Sequence, residues 1–235
     1  MIRAIDLVSS GMASLARAGS GMSVGALGPR PEQPLALYEF EACPYCRVVR
    51  EALSILDLNC HIYPCPKKGT RYREELTRRG GKSQFPYLVD PNTGKEMYES
   101  DDIVAYLFAR YGVGRVPRSL AAGGVTLATA ALASALRPGL GVRRQPSVAP
   151  GKPLELYSFE ASPFCRIVRE KLCSLEIPYL LHNVAKGSPE RTAFVERSGK
   201  MMVPYLADPN TGIGMFESAG IVRYLDESYG RPAAG

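Results

Sequence analysis

The chain repeats itself. Residues 37–112 and 156–230 align with a single one-residue gap, and about half of the aligned positions are identical. A repeat this long lies far beyond a solenoid unit, so each copy is expected to hold its own core. The 235 residues then divide into two small units rather than one large one. On that duplicated frame one difference bears on chemistry. The first copy reads Leu37-Tyr-Glu-Phe-Glu-Ala-Cys43-Pro44-Tyr45-Cys46-Arg47, and the second reads Leu156-Tyr-Ser-Phe-Glu-Ala-Ser162-Pro163-Phe164-Cys165-Arg166. A Cys-x-x-Cys pair in one copy is matched by Ser-x-x-Cys in the other.

Bulk properties exclude several classes. The longest low-polarity run, Val125–Leu136, is too short to span a bilayer. The net charge is +6, with basic residues gathered at Lys67, Lys68, Arg71, Arg73, Arg78, Arg79 and Lys82. This cluster reads as a solvated helix face, or as a rim that attracts a carboxylate-rich small molecule or an acidic partner. No reader motif or aromatic stacking platform accompanies it, so nucleic acid is not an expected partner. Six cysteines, at Cys43, Cys46, Cys60, Cys65, Cys165 and Cys173, are too few and too uneven for a secreted disulfide framework. Cys-x-x-Cys on a β-α pattern without a secretory signal reads as redox chemistry.

Each copy carries the same order of elements, β-α-β-α-β-β-α. In the first, Leu35–Phe40 is an apolar run suited to a buried strand. Pro44–Leu58 carries Val48, Val49, Ala52, Leu53 and Leu56 on one helical face. Cys60–Tyr63 follows as a strand and Thr70–Arg79 as a short charged helix. Tyr87–Val89 and Lys95–Tyr98 flank the turn Asp90-Pro91-Asn92-Thr93-Gly94. Ser100–Tyr111 is a helix closed by Gly112 as a C′ residue. The segments before the copies also match, Met12–Gly21 with Leu132–Gly141, which predicts an extra helix near Ile2–Arg17 and another near Thr126–Leu136. The first 34 residues are Ser/Ala/Arg-rich, like an organelle transit peptide. Such a peptide would not be copied in mid-chain, so the segment is read as mature structure. Ile2, Ile5, Val8 and Met12 recur at helical spacing, for packing across the sheet or between copies, or for docking to a partner or membrane surface. Gly19–Pro34 and Pro138–Pro153 read as linkers. The expected division is 1–34 helix and linker, 35–115 first domain, 116–153 helix and linker, and 154–235 second domain.

Cys43 is placed as the N-cap of its helix, with Pro44 at the first helical position, where a missing N–H does no harm. The N–H groups of Tyr45 and Cys46 are then expected to point at the sulfur and, with the helix dipole, to favour a thiolate. Thiols so placed have pKa values lowered to roughly 3.5–7.5. Cys46, one turn on, is placed to close a disulfide, so Cys43 attacks and Cys46 resolves. Two alternatives stand beside this: a structural disulfide, or half of a zinc site completed by Cys60, His61 and Cys65. The second copy keeps the frame without a matching ligand set, so no metal is expected. Cys60 reads as strand interior, and Cys65, in the loop after it, as a candidate third redox thiol.

Cys43-Pro44-Tyr45-Cys46, Gln84-Phe85-Pro86-Tyr87 and Glu99-Ser100 together resemble the thioredoxin superfamily, in its glutaredoxin and glutathione-transferase N-terminal branch. The resemblance covers both copies and looks closest to tandem proteins of plant and algal chloroplasts. It implies an α/β chain of two tandem thioredoxin-like domains, each preceded by an extra helix. It implies cis Pro86 and Pro204, with the backbone of Phe85 or Val203 pairing with glutathione. Glu99 and Ser100 would hold the γ-glutamyl end beside Tyr45, and a helix start does offer free N–H groups to a carboxylate. By the same resemblance the location is a chloroplast, stromal or thylakoid-associated.

Ser162, Cys165, Val203, Pro204, Glu217 and Ser218 form the corresponding degenerate site. Ser162 reads as a simple N-cap in a scaffold copy, or as a residue holding a glutathione thiolate, as in serine-type plant transferases. Cys165 without a leading cysteine is a slow thiol. Relatives in that branch carry an all-helical domain that supplies the electrophile pocket, whereas here Gly114–Pro153 follows the first copy and residues 231–235 the second, so conjugation to a hydrophobic electrophile is not expected. The leading expectation is a glutathione-linked disulfide oxidoreductase, with glutathione as co-substrate and protein thiols or disulfides as partners. The alternatives are a non-catalytic assembly factor using its duplicated fold and N-terminal helix, a transferase-like protein, and a [2Fe–2S] carrier.

Overall fold

A computed structural model describes residues 4–15, 17, 19–121, 124–135 and 139–231. The chain opens with α1 (Ala4–Leu15). The first copy runs β1 (Leu35–Glu39), α2 (Pro44–Ile55), β2 (Cys60–Pro64), α3 (Arg73–Gly80), β3 (Tyr87–Asp90), β4 (Lys95–Met97) and α4 (Ser100–Tyr111). A connecting segment holds α5 (Arg118–Ala121) and α6 (Gly124–Ala135). The second copy runs β5 (Leu154–Ser158), α7 (Pro163–Ser174), β6 (Tyr179–Asn183), α8 (Glu190–Ser198), β7 (Tyr205–Asp208), β8 (Ile213–Phe216) and α9 (Ser218–Tyr229). The predicted order of elements is therefore present twice.

Two thioredoxin-like sheets share one edge. Strand β2 pairs antiparallel with β6, setting Cys60 opposite Leu181, His61 opposite Leu180 and Ile62 opposite Tyr179. The result is a single eight-stranded sheet in the order β4-β3-β1-β2-β6-β5-β7-β8. This pairing removes the two inner edges that each copy would otherwise expose. Cys60, Ile62, Tyr179 and Leu181 alternate inward along the seam, so one apolar core runs from Leu35 through to Tyr229. Cys60 is strand interior, as its position predicts. On the opposite face, Leu76 of α3 packs on Tyr38 and Tyr87, and Phe194 of α8 packs on Tyr157.

The extra helices cross over. Helix α1 lies on α7 of the second copy, while α6 lies on α2 of the first. Packing between copies, one of the expected roles, is thus what these helices do. Ile2 and the side chain of Ile5 lie outside the described residues. Val8 and Met12 remain exposed on α1. The segments read as linkers are bonded to the opposite copy. Val24 N–H donates to Lys186 O at 2.9 Å and Lys186 N–H to Met22 O at 2.9 Å, and Lys67 N–H donates to Val142 O at 2.6 Å.

Some boundaries move for local reasons. Helix α2 stops at Ile55 rather than Leu58 because Asp57 takes φ +52°, which turns the chain into β2. Helix α3 starts at Arg73 rather than Thr70, because the N–H groups of Thr70 and Arg71 are bound by Glu176 of the second copy at 2.9 and 3.1 Å. Gly112 is not a left-handed C′ residue. Its φ is −112°, and glycine is needed there because an added Cβ would lie 2.9 Å from both Phe108 O and the Leu56 side chain. The basic cluster is only partly a solvated face. Arg71 donates to Leu175 O at 2.8 Å and Ser147 O at 2.7 Å, and Arg73 to Pro66 O at 2.7 Å. Among the described residues no helix is long and apolar enough to cross a membrane.

Candidate functional site

Cys43 caps α2 with an extended backbone (φ −74°, ψ 122°), and Pro44 occupies the first helical position. Its sulfur accepts the Cys46 N–H at 3.4 Å. The expected second bond from Tyr45 is not made, because the third amide of the helix is the one this cap reaches. The Cys46 thiol donates to the Cys43 sulfur, and this lowers the Cys43 pKa against the opposing effect of burial. Burial, followed by the same contact, pushes Cys46 well up. Of the two thiols, Cys43 is therefore the one that gives up its proton more readily. Cys43 is 4% exposed, Cys46 is fully buried and Tyr45 is half exposed. All six cysteines are free thiols.

The peptides Phe85-Pro86 and Val203-Pro204 are both cis. Cys43 N–H donates to Phe40 O at 3.0 Å, and the Phe40 ring meets the Phe85 ring edge-on at 5.8 Å. The cysteine turn and the proline loop therefore touch. Arg73 also lies over the Phe85 ring, 4.7 Å from its centre. Gln84 donates to the Glu99 carboxylate, joining the loop to the start of α4. Glu99 and Glu217 both take positive φ, at +64° and +71°, without capping their helices through a side chain. Ser100 and Ser218 are first helical residues rather than caps. A strained, uncapped helix start repeated in both copies is a feature that sequence reading passed over. Such outliers cost on the order of 1–3 kcal/mol and gather at functional sites.

Cys65 does not join the pair. It is fully buried against Tyr38 and Leu76, and burial raises its pKa. Its sulfur donates to Tyr63 O at 3.4 Å. Cys60 is likewise raised by burial in the seam. Among the described residues no group of three or more His, Cys, Asp or Glu side chains is placed to hold a metal ion.

In the second copy, Ser162 reproduces the geometry of Cys43. Its φ is −70° and ψ 119°, and its hydroxyl accepts the Cys165 N–H at 3.3 Å. Cys165 is fully buried, and burial raises its pKa. Helix α1 sits over this site: Ser10 donates to Pro163 O at 2.8 Å, and Arg166 donates to Ser10 O at 2.7 Å.

Between the two cysteine turns lies a buried ion cluster. Arg50 binds Glu39, and also Glu160 at 2.9 Å and Glu41 O at 3.0 Å. Arg169 binds Glu41 at 3.0 Å and Glu160 at 2.8 Å. Arg47 reaches Glu160 at 3.7 Å. Burial would raise the pKa of Glu160, but Arg169, Arg50 and Arg47 hold it at about 2. Glu39 is pushed up to about 7 by burial, with Arg50 only partly offsetting it. The available signal was a pair of charges, Arg47 and Arg50, set into the apolar helix α2 and repeated as Arg166 and Arg169.

The sequence matches the glutathione S-transferase N-terminal domain over residues 37–117 and again over residues 156–233. The chain belongs to that family. Membership ties it to glutathione chemistry in general, without specifying transfer or redox exchange. No curated protein matches it. Among solved structures it is similar to Leishmania TDR1, described as a unique trimeric glutathione transferase, at 14% identity. That match covers 86% of this chain and 68% of the other, with a TM-score of 0.31, too low to carry an argument.

Proposed function

We propose that the chain is a glutathione-linked thiol–disulfide oxidoreductase whose first copy does the chemistry. The observation that carries this reading is the division of labour in the cysteine pair. Contact with Cys46 lowers the Cys43 pKa while burial raises that of Cys46, so Cys43 is the sulfur of the pair that ionises first. The Cys43 thiolate attacks the sulfur of a glutathionylated thiol, and the substrate sulfur leaves as a thiolate and takes a proton from water. Cys43 is then bonded to glutathione. A second glutathione thiolate attacks that bond, releasing oxidised glutathione and restoring the Cys43 thiolate. Alternatively Cys46 loses its proton, attacks, and closes a Cys43–Cys46 disulfide that two further glutathiones reduce. Glutathione supplies both electrons in either route. The Phe85-Pro86 backbone and the uncapped start of α4 at Glu99-Ser100 are the groups assigned to glutathione. With 4% of its surface open, Cys43 suits a slim peptide disulfide.

The second copy is assigned a supporting role, because Ser162 serves as an N-cap and α1 covers it. Trapping tests the assignment. Cys46→Ser treated with oxidised glutathione should gain one glutathione, mapped by peptide mass spectrometry to Cys43. Cys60, Cys65, Cys165 and Cys173 should stay free over the same interval, because all are buried and raised. Modification at any of these before Cys43 would refute the reading.

A further inference from the structure

Each cysteine turn is gripped by the opposite copy. The Glu41 carboxylate, two residues before Cys43, accepts two hydrogen bonds from Arg169 of α7, at 3.0 and 3.1 Å. The Glu41 N–H donates to Cys173 of the same helix at 3.5 Å. The second copy mirrors this. Glu160, two residues before Ser162, accepts from Arg50 at 2.9 Å, and its N–H donates to Ser54 at 3.1 Å. Arg50 and Arg169 each bind carboxylates of both turns. The side chains of Glu39, Glu41, Arg50, Glu160 and Arg169 are at most 2% exposed, so solvent and salt screen them little.

The second copy has lost the nucleophile but kept this charge set, and it is broken at one place only. Glu39, below the Cys43 turn, is matched by Ser158 in the second copy. We propose that Glu160 and Arg169 of the second copy are positioning residues for the Cys43 sulfur: they fix the turn that carries it and set the charge beneath it. The proposal rests on the reading of Cys43 as the reactive thiol, and explains why a copy without its own nucleophile is retained in full.

The charged and titratable groups around that turn come from every packed element. Strand β1 supplies Glu39, the turn itself Glu41, and α2 supplies Cys46, Arg47 and Arg50. The second copy supplies Glu160, Arg166, Arg169 and the buried thiol of Cys173. Neutralising Glu160 makes the cluster more positive and favours a thiolate. Neutralising Arg169 makes it more negative and disfavours one. Glu39 ionises more in the first case and less in the second, which offsets part of each shift without reversing it.

The test is the pH dependence of Cys43 alkylation by iodoacetamide in the full chain, followed by peptide mass mapping. Glu160→Gln should move the midpoint down and Arg169→Gln should move it up, each by a detectable fraction of a unit. Arg169→Lys, which keeps the charge, should return it to the wild-type value. A merely structural role would loosen the turn in both variants and shift both midpoints the same way. That result, or two unmoved midpoints, overturns the proposal. If Arg169→Gln does not fold, the other two variants decide. A lowered midpoint in Glu160→Gln with an unchanged one in Arg169→Lys supports the proposal, and any other pattern overturns it. A wild-type Cys43 that is not alkylated at any pH overturns the reactive-thiol reading and the proposal with it. Alkylation with unmoved midpoints overturns the proposal alone.

Discussion

Arg50→Ala is expected to lose about 3–5 kcal/mol of stability, the usual cost of removing one member of a buried ion pair. Arg50 is 1% exposed and joins Glu39, the Glu41 carbonyl and Glu160, so it touches both copies at once. Without it, Glu39 has no cation in contact among the described residues, and a buried carboxylate must then protonate or admit water. Glu160 keeps Arg169, and Arg47 at 3.7 Å, and loses its hydrogen bond to Arg50. A domain of ordinary stability, about 5–15 kcal/mol, would be left marginal by this change. Urea unfolding at neutral pH measures it. Arg79→Ala is the comparison: its pair with Glu96 is 42% and 33% exposed, and its loss should stay below about 1 kcal/mol. Equal effects in the two variants would mean that the central cluster is hydrated and contributes no more than a surface pair.

Stability should peak in mildly acidic solution, because two buried carboxylates titrate in opposite senses. Glu160 has its folded pKa depressed to about 2. Its contribution is present above the unfolded value of about 4.3 and is lost as pH falls toward 2, amounting to about 3 kcal/mol. Asp90 and Asp208, lowered by tyrosine and asparagine hydrogen bonds against the effect of burial, act in the same direction. Glu39 is raised to about 7. Its contribution is complete below the unfolded value and is lost as pH rises through 7, amounting to about 4 kcal/mol. Urea midpoints should therefore be highest near about pH 5 and fall on both sides. Glu160→Gln should flatten the acid limb and Glu39→Gln the alkaline one. An alkaline limb as steep in Glu39→Gln as in the wild type would contradict the placement of Glu39.

What could be read from the sequence was local. Cys43 as a cap, Pro44 inside the helix, the Asp90–Gly94 hairpin and the order of elements each follow from a few neighbouring residues, and each is present. The carboxylate of Asp90, seen only as a turn former, also accepts the Tyr111 hydroxyl at 2.6 Å and so ties the hairpin to the end of α4. Its counterpart Asp208 accepts from Tyr224 at 2.7 Å. That contact joins residues far apart in the chain, and no periodicity announces it. The same holds for the β2–β6 seam. Cys-His-Ile-Tyr-Pro alternates like any half-buried strand, and nothing in it names Tyr179–Asn183 as its partner. The crossing of α1 and α6 escapes for a further reason. Each helix is so apolar that either copy offers it a plausible bed, and the buried Arg17, bonded to Glu51 and to Ser119 O, ties the end of the α1 segment to the first copy while α1 itself reaches the second.

At the site, sequence located the thiols but not their surroundings. Cys43 and Cys46 carry their geometry in four residues. The turn that holds them is fixed by Arg169, more than a hundred residues away, and sequence spacing says nothing about such a contact.

The most direct measurement is glutathione-dependent reduction of a small glutathione mixed disulfide by the wild type, Cys43→Ser and Cys46→Ser. Cys43→Ser should fold normally, since Ser162 already holds that position in the same conformation with the same hydrogen bond. It should lose activity by more than about a hundredfold, as removal of a covalent nucleophile does. Cys46→Ser should keep a substantial rate through the route in which glutathione itself resolves the intermediate. Activity that survives intact in a folded Cys43→Ser variant would contradict the assignment of the chemistry to the first copy.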